Sequence, residues 1–168
     1  ELQKIEGIGE VKAVQLKAIA EFAKRMARAK AKSGLSFHDP YSVADYYMER
    51  FRHESVEHIL LLFLDSGYHL IGEEILSKGT VNASLLSPRE VFVQAFRNGA
   101  AGIMLLHNHP GGNPAPSEND LQVTERIGRT GALTDIPLID HIILGDNNYF
   151  SFRESGLLTD MSEGEEKF

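Results

Sequence analysis

The pattern of apolar and polar positions predicts a succession of short helices and buried strands across residues 40–156. A strand is predicted from Ile59 to Asp65, because its six consecutive apolar residues leave no polar side chain to face solvent. After a Ser-Gly turn, a less regular strand from Tyr68 to Ser77 forms a hairpin with the first. The other predicted elements are strands at 101–106, 137–144 and 148–152 and helices at 39–54, 88–98 and 117–132.

The helix at 88–98 has the clearest start signal of the three. Ser87 is the predicted N-cap, Pro88 occupies the first helical position, and Glu90 would complete a capping box. An optional further strand precedes this helix. The predicted order is therefore α-β-β-α-β-α-β-β, with that optional strand before the second helix.

Residues 1–32 differ from the remainder in pattern. Gly7 and Gly9 flank one isoleucine ahead of a helix with an apolar face. This turn resembles the hairpin of a helix-hairpin-helix DNA-binding motif, in which backbone N–H groups hold a phosphate. Six residues are too few for the first helix of that motif, so we expect a partial one. Residues 33–39 form a predicted linker, residues 40–156 the main domain and residues 157–168 an acidic tail.

Charge separates the same segments. Residues 1–32 carry eight Lys or Arg against four Asp or Glu, whereas the remainder carries nine against twenty. The basic segment could make a weak contact with DNA, while the acidic main domain would repel phosphate. Cysteine is absent, so thiolate catalysis and cysteine-held metals are excluded. No apolar run approaches the roughly 20 residues of a membrane span, and we expect a soluble, cytoplasmic protein.

The chemistry is concentrated in residues 105–120, "LLHNHPGGNPAPSEND". His107 and His109 follow a buried strand, and positions i and i+2 of extended chain point to one face. Asp120 falls in the first turn of the next helix, where the helix dipole favours a carboxylate. These three ligands would leave one tetrahedral position open, as in catalytic zinc sites. A capping box between Ser117 and Asp120 explains that pair without a metal.

These residues also support a resemblance. The pattern His107-x-His109-Pro110, followed by Ser117-x-x-Asp120, looks like the JAMM motif of MPN/JAB-domain metallopeptidases. The fuller string, with "SPREVFVQAF" and "IDHIILG", resembles the bacterial RadC family, whose members carry a helix-hairpin-helix segment before the JAB domain. The resemblance implies an α/β (α+β) fold of the cytidine-deaminase-like class, a mixed β-sheet flanked by helices with a zinc site at its edge.

A JAMM enzyme also needs a glutamate that takes a proton from water. Glu57, just before the first strand, fits that place as general acid and base. Glu90 is the rival, although the predicted capping box accounts for it, and two further glutamates are expected to face solvent: Glu73 and Glu74. By the same resemblance, Ser117 would stabilise the oxyanion. His141 is either a residue supporting the metal ligands or an ordinary strand residue.

The resulting expectation is a zinc-dependent hydrolase of a peptide or isopeptide bond, acting on an unknown protein or peptide substrate. The alternative is a DNA-associated adaptor of the RadC type, with a supposed repair role, whose JAB domain binds metal without turnover. The oligomeric state and the bond that is cleaved stay open.

Overall fold

The computed structural model describes three stretches of the chain, residues 9–19, 37–79 and 86–158. The chain divides into two compact units, Glu1–Leu35 and Ser36–Phe168. In the first unit, residues 10–19 are helical. Three predicted features fall wholly or mostly outside the described residues: the Gly-Ile-Gly turn apart from Gly9, the optional strand and the acidic tail. None of the helices in the described ranges combines the length and apolarity that a bilayer crossing requires.

Eight elements make up the described part of the second unit, in the predicted order. They are α1 (Pro40–Phe51), β1 (His58–Leu64), β2 (Leu70–Lys78), α2 (Pro88–Arg97), β3 (Gly102–Asn108), α3 (Glu118–Leu133), β4 (Leu138–Leu144) and β5 (Tyr149–Ser151).

The five strands form one mixed sheet in the order β2-β1-β3-β4-β5. β3 and β4 are parallel, and every other neighbouring pair is antiparallel. A parallel pair needs a crossover connection, and α3 supplies it. The N-terminus of α3 consequently lies near the C-terminal end of β3, the central strand. The predicted metal ligands lie at this end of the sheet. The fold is thus the predicted mixed α/β sheet flanked by helices.

Helices cover the two faces of the sheet. On one face, side chains of β1 and β3 pack with α2 and α3 in the core, as Leu61, Leu105, Val91 and Ile127 illustrate. α1 lies on the opposite face: its buried Tyr47 reaches Glu73 of β2, which pairs with Leu62 rather than Leu61. Residues paired across neighbouring strands point to the same face. Every residue of β1 and β3 is buried as a result.

The capping box predicted at the start of α2 is wrong. Ser87 is the N-cap residue, but its side chain makes no capping hydrogen bond. The N–H of Glu90 donates to the backbone carbonyl of Ser87 at 3.0 Å, so the main chain closes the first turn without the hydroxyl. Glu90 is exposed.

Candidate metal centre

The two histidines of the motif meet at the end of β3. His107 lies within the strand, and His109 follows it with its N–H still donating to the carbonyl of Leu144 at 2.8 Å. Because alternate residues of extended chain share a face, both rings point to the α3 side of the sheet. Their Nε2 atoms are 3.0 Å apart, so both nitrogens face the same point.

Asp120 completes the cluster from the first turn of α3. Its Oδ1 lies 3.2 Å from Nε2 of His107, and its Oδ2 lies 3.5 Å from Nε2 of His109. With zinc–ligand bonds of about 2.0–2.1 Å, neighbouring ligands of a tetrahedral site are about 3.3–3.4 Å apart. The two oxygens of Asp120 each face one imidazole at a separation close to this value. One ligand atom from each of the three residues lies within 4.8 Å of the others, so these residues could hold a metal ion.

The pKa values of Asp120 and His109 are shifted in opposite directions within the cluster. Burial opposes ionisation of Asp120, but the interactions of its carboxylate with His107 and His109 outweigh burial and lower the pKa of the carboxyl. The hydrogen bond to Asp120 raises the pKa of His109 against partial burial, and the charge of Glu57 adds to this rise. The site is therefore built around a carboxylate that stays ionised, as a metal ligand must.

Each histidine is also held by its other ring nitrogen. Nδ1 of His109 lies 2.8 Å from the carbonyl of Asn113, in the loop that returns the chain to α3. Nδ1 of His107 lies 2.8 Å from Nε2 of His141 on β4. His141 is therefore a partner of a candidate ligand rather than an ordinary strand residue.

His141 is enclosed on all sides. Its ring stacks on Phe152 at an interplanar angle of 9°, and its Nδ1 lies 2.6 Å from the hydroxyl of Thr124 on α3. Burial and the charge of His107 lower the pKa of His141, which favours the neutral ring. Thr124 was not anticipated from the sequence, although its position four residues after Asp120 places both on one face of α3.

Glu57 precedes β1 on the same side as the histidines. In the antiparallel pairing of β1 with β3, Ile59 lies opposite His107. If this register is extended by two residues, back from Ile59 and forward from His107, it places Glu57 near His109. The effect of Glu57 on the pKa of His109 agrees with this placement. Glu57 is thus close enough to His109 for its charge to act on that ring.

The backbone around Glu57 is fixed by Asn108, the residue between the two histidines. The side chain of Asn108 points to the other face, where its Oδ1 accepts from the N–H of His58 at 2.9 Å. Its Nδ2 donates to the carbonyl of Val56 at 3.2 Å. The carbonyl of Glu57 accepts from the N–H of Gly79 at 2.8 Å. The segment is consequently held against both neighbouring strands.

The remaining candidates are placed as follows. The hydroxyl of Ser117 donates to Oδ2 of Asp120 at 2.6 Å, and a complete capping box links the two residues.

Glu73 is exposed but accepts hydrogen bonds from Tyr47 and Arg50, both at 2.6 Å. Glu74 is half-buried, so part of its surface is in contact with solvent. The alternation of β2 turns Glu73 and Glu74 to opposite faces, so they could not both face solvent equally.

A cavity of about 470 Å³ opens beside His109. Its walls are the C-terminal end of α1, the loop after β3 and the β4–β5 turn, with Phe51, Pro110, Gly112 and Asp146 among the lining residues. Of the three candidate ligands, His109 lines this cavity.

Known proteins with related sequences identify the domain. The family model described as RadC-like JAB domain matches residues 37–157. UPF0758 proteins of Bacillus cereus (strain 03BB102) and Bacillus anthracis (strain A0248) are each 42% identical over 156 residues, covering 93% of this chain and 69% of theirs. A UPF0758 protein of Bacillus mycoides (strain KBAB4) is 41% identical over the same length. The helix-hairpin-helix segment precedes the matched range and stays a prediction. The chain belongs to the RadC-like JAB domain family.

Proposed function

We propose that this protein is a zinc-dependent hydrolase of a peptide or isopeptide bond, with His107, His109 and Asp120 as metal ligands. The observation that carries the proposal is the convergence of these side chains. The two Nε2 atoms are 3.0 Å apart, and they lie 3.2 and 3.5 Å from the two carboxylate oxygens of Asp120, close to the spacing of ligands around zinc. Two imidazole nitrogens and a carboxylate oxygen are a donor set that suits zinc. Three protein ligands leave a fourth position open, which is typical of catalytic rather than structural zinc.

When bound, zinc supplies Lewis acidity, which polarises the scissile carbonyl and brings the pKa of a water molecule to about 7. Glu57, whose charge acts on His109, accepts a proton from the attacking water and returns it to the leaving amine nitrogen. The backbone on either side of Glu57 is held by the Asn108 side chain. The cavity beside His109 receives one side of the substrate chain.

Ser117 can stabilise the oxyanion only if its hydroxyl group changes its hydrogen-bond partner. Its single hydroxyl proton is donated to Asp120 in the structure, at 2.6 Å. Oxyanion stabilisation requires that the hydroxyl turn from Asp120 to the substrate oxygen, while the N–H of Ser117 continues to hold the carboxylate at 2.7 Å. The capping box therefore leaves Asp120 anchored during such a rotation.

Metal analysis of the purified full chain tests the site. We expect about one zinc per chain, measured by plasma mass spectrometry after dialysis. His107→Ala should lose the metal, whereas His53→Ala, on the exposed C-terminal side of α1, should retain it. Equal zinc contents in the wild type and His107→Ala would contradict the proposed ligands.

A second measurement separates the hydrolase from the metal-binding adaptor. Metal-replete protein is incubated with linear peptide and isopeptide-linked libraries, and products are identified by mass spectrometry. Glu57→Gln keeps the shape of the side chain but removes the base, so turnover should fall on the order of 100-fold or more with zinc retained. Glu74→Gln is the matched control and should hydrolyse at the wild-type rate. Turnover that survives Glu57→Gln would remove Glu57 from the mechanism, and the absence of turnover in both libraries would favour the adaptor.

A further inference from the structure

A continuous chain of hydrogen bonds runs behind His107 and returns to Asp120. The hydroxyl of Thr124 lies 2.6 Å from the backbone carbonyl of Asp120 and 2.6 Å from Nδ1 of His141. Nε2 of His141 lies 2.8 Å from Nδ1 of His107. Thr124, His141 and His107 are at most 2% exposed, so water does not supply alternative partners.

The Asp120 carbonyl at one end determines which atom donates and which accepts in each of these hydrogen bonds. A carbonyl oxygen only accepts, so the Thr124 hydroxyl must donate its single proton to Asp120. The same hydroxyl oxygen can then only accept from His141, which therefore carries its proton on Nδ1. A neutral imidazole has one donor and one acceptor nitrogen. Nε2 of His141 consequently accepts from Nδ1–H of His107, and the free lone pair of His107 is on Nε2.

Reversing the donors and acceptors along these hydrogen bonds would place the protons on the other ring nitrogens of His141 and His107. If the Thr124 hydroxyl donated to His141 instead, His141 would carry its proton on Nε2 and donate it to Nδ1 of His107. His107 would then be protonated on Nε2, the atom that faces His109 and Asp120. That arrangement gives up the 2.6 Å hydroxyl bond to the Asp120 carbonyl in exchange for a longer contact, 3.2 Å, from Nε2–H of His107 to the Asp120 carboxylate. It also blocks the nitrogen through which a metal would bind.

We propose that Thr124 and His141 are positioning residues that fix His107 in the tautomer whose Nε2 lone pair points into the cluster. The inference rests on the proposed metal site, and it assigns a purpose to two buried side chains that contact no metal. Histidine ligands are commonly oriented by a partner on their other nitrogen. In this protein the partner is a second histidine, whose own tautomer is set by a backbone carbonyl through one hydroxyl.

The neighbours of His141 hold its ring in the orientation that both of its hydrogen bonds require, to Thr124 and to His107. Phe152 stacks on the ring at a centroid distance of 4.9 Å, and the N–H of Phe152 donates to the carbonyl of His141 at 3.0 Å. Ring and backbone are thus fixed by the same neighbour. A rotated ring would lose contact with Thr124 and His107 together.

The tautomer of His141 can be observed directly in the wild-type protein, with one variant needed to assign its signal. Long-range ¹H–¹⁵N correlation spectra of the ¹⁵N-histidine-labelled full chain distinguish the two neutral tautomers, and His141→Gln identifies the signal. We expect the Nδ1–H form in both the metal-free and the zinc-loaded protein. In the loaded protein, a coupling across the hydrogen bond should join Nδ1 of His107 to Nε2 of His141. The Nε2–H form at His141 would overturn the inference.

Zinc affinity tests the consequence for metal binding. Thr124→Val removes the hydroxyl at nearly constant shape and should weaken zinc binding by about 10-fold to 100-fold, measured by competition with a chelator. Thr124→Ser restores the hydroxyl and should restore the affinity. Thr130→Val is the matched control, because Thr130 makes the same hydroxyl bond to a carbonyl four residues earlier, at 2.8 Å, one turn or more away from the cluster.

The outcomes separate the inference from the proposed function. A wild-type protein that binds no zinc contradicts the proposed metal site. The direction of hydrogen-bond donation from His107 to Thr124 is then read from the metal-free spectrum alone. A wild-type affinity retained by Thr124→Val contradicts the positioning role while leaving the metal site intact. Thermal unfolding of the metal-free variants confirms that each one folds, and cobalt absorption of the loaded variants should show altered ligand geometry for Thr124→Val only.

Discussion

Ser117 and Asp120 hydrogen-bond to each other in both directions across the first turn of α3. The N–H of Ser117 donates to Oδ2 of Asp120 at 2.7 Å, and the N–H of Asp120 donates to Oγ of Ser117 at 3.2 Å. The same carboxylate faces His107 and His109. The capping box and the candidate metal ligand, which look like competing explanations in the sequence, are one arrangement. The cap fixes the carboxylate before any metal arrives.

Two substitutions at Asp120 separate these roles. Asp120→Asn and Asp120→Ala both remove the charged ligand, so both should lose most of the bound zinc. Only the asparagine retains an oxygen that accepts from the N–H of Ser117. We therefore expect the alanine variant to be less stable than the asparagine variant by about 1 kcal/mol. Urea denaturation in the presence of a chelator measures this difference, and two equally stable variants would show that the side chain contributes no cap.

Gly145 joins the turn after β4 to the loop that carries His109. A Cβ placed at Gly145 would collide with the carbonyl of Gly112, with the Asn148 side chain and, at 2.8 Å, with Pro114. Gly112 also accepts from the N–H of Asp146 at 2.9 Å, so the two loops are hydrogen-bonded at this point. Gly145→Ala should force them apart.

The expected results of Gly145→Ala are reduced stability and zinc affinity weakened by about 10-fold or more, since the displaced loop orients His109 through Asn113. Gly111→Ala is the control, because a Cβ at Gly111 meets no atom within 4 Å. Chelator competition and thermal unfolding of both variants check the result. Equal losses in the two variants would mean that the contact at Gly145 is not responsible.

Local patterns predicted the elements that position the site. The apolar run at the start of the main domain gave β1 to within a residue, because a strand covered on both faces leaves no polar position. The spacing of His107 and His109 predicted that their rings converge, because alternation along a strand depends only on neighbouring residues. The first turn of α3, with Ser117 and Asp120, was likewise visible as a local signal.

Contacts between distant segments were not predictable in this way. His141 is 34 residues from His107, and Glu73 is 26 residues from Tyr47. Which side chains meet depends on strand order and register, and one sequence does not specify these. The capping signal at Ser87 failed for another reason. The backbone carbonyl took the N–H that the hydroxyl was expected to take.

The core between the sheet and helices α2 and α3 gives a prediction about stability. Leu61 lies in the middle of β1 and is fully buried in this core, whereas Ile75 on β2 is 51% exposed. Leu61→Ala should lower the free energy of unfolding by about 2–5 kcal/mol, because it leaves a cavity that strands on both sides prevent from collapsing. Ile75→Ala should change it by less than about 1 kcal/mol. Urea denaturation compares the two, and similar losses would contradict the assigned burial.

Asp140 on β4 gives a prediction about pH. This carboxylate is fully buried, and its oxygens accept from the Ser151 hydroxyl at 2.6 Å and from the N–H groups of His141 and Arg153 at 2.7 and 3.0 Å. Burial nevertheless raises the pKa of Asp140 above its ordinary value of 3.8, against the lowering effect of these hydrogen bonds and of the Arg153 charge.

The sign of the pH effect follows from this rise. Between pH 3.8 and the raised pKa, the folded chain keeps the Asp140 proton that the unfolded chain has released. The folded state therefore binds more protons, and its stability must fall as the pH rises through this interval. Asp140→Asn stays neutral and keeps an oxygen for both backbone N–H groups. Its stability relative to the wild type should consequently increase with pH across the interval and then level off.

Urea denaturation of the wild type and Asp140→Asn at a series of pH values, with a chelator present, measures this difference directly. The chelator removes any contribution from metal binding, which has a pH dependence of its own. Asp135→Asn controls for the loss of one carboxylate, because Asp135 is exposed in the turn before β4 and has a φ of 55° that asparagine also tolerates. A wild-type advantage that grows with pH would show that the ionised Asp140 is stabilised by its hydrogen bonds more than burial disfavours it.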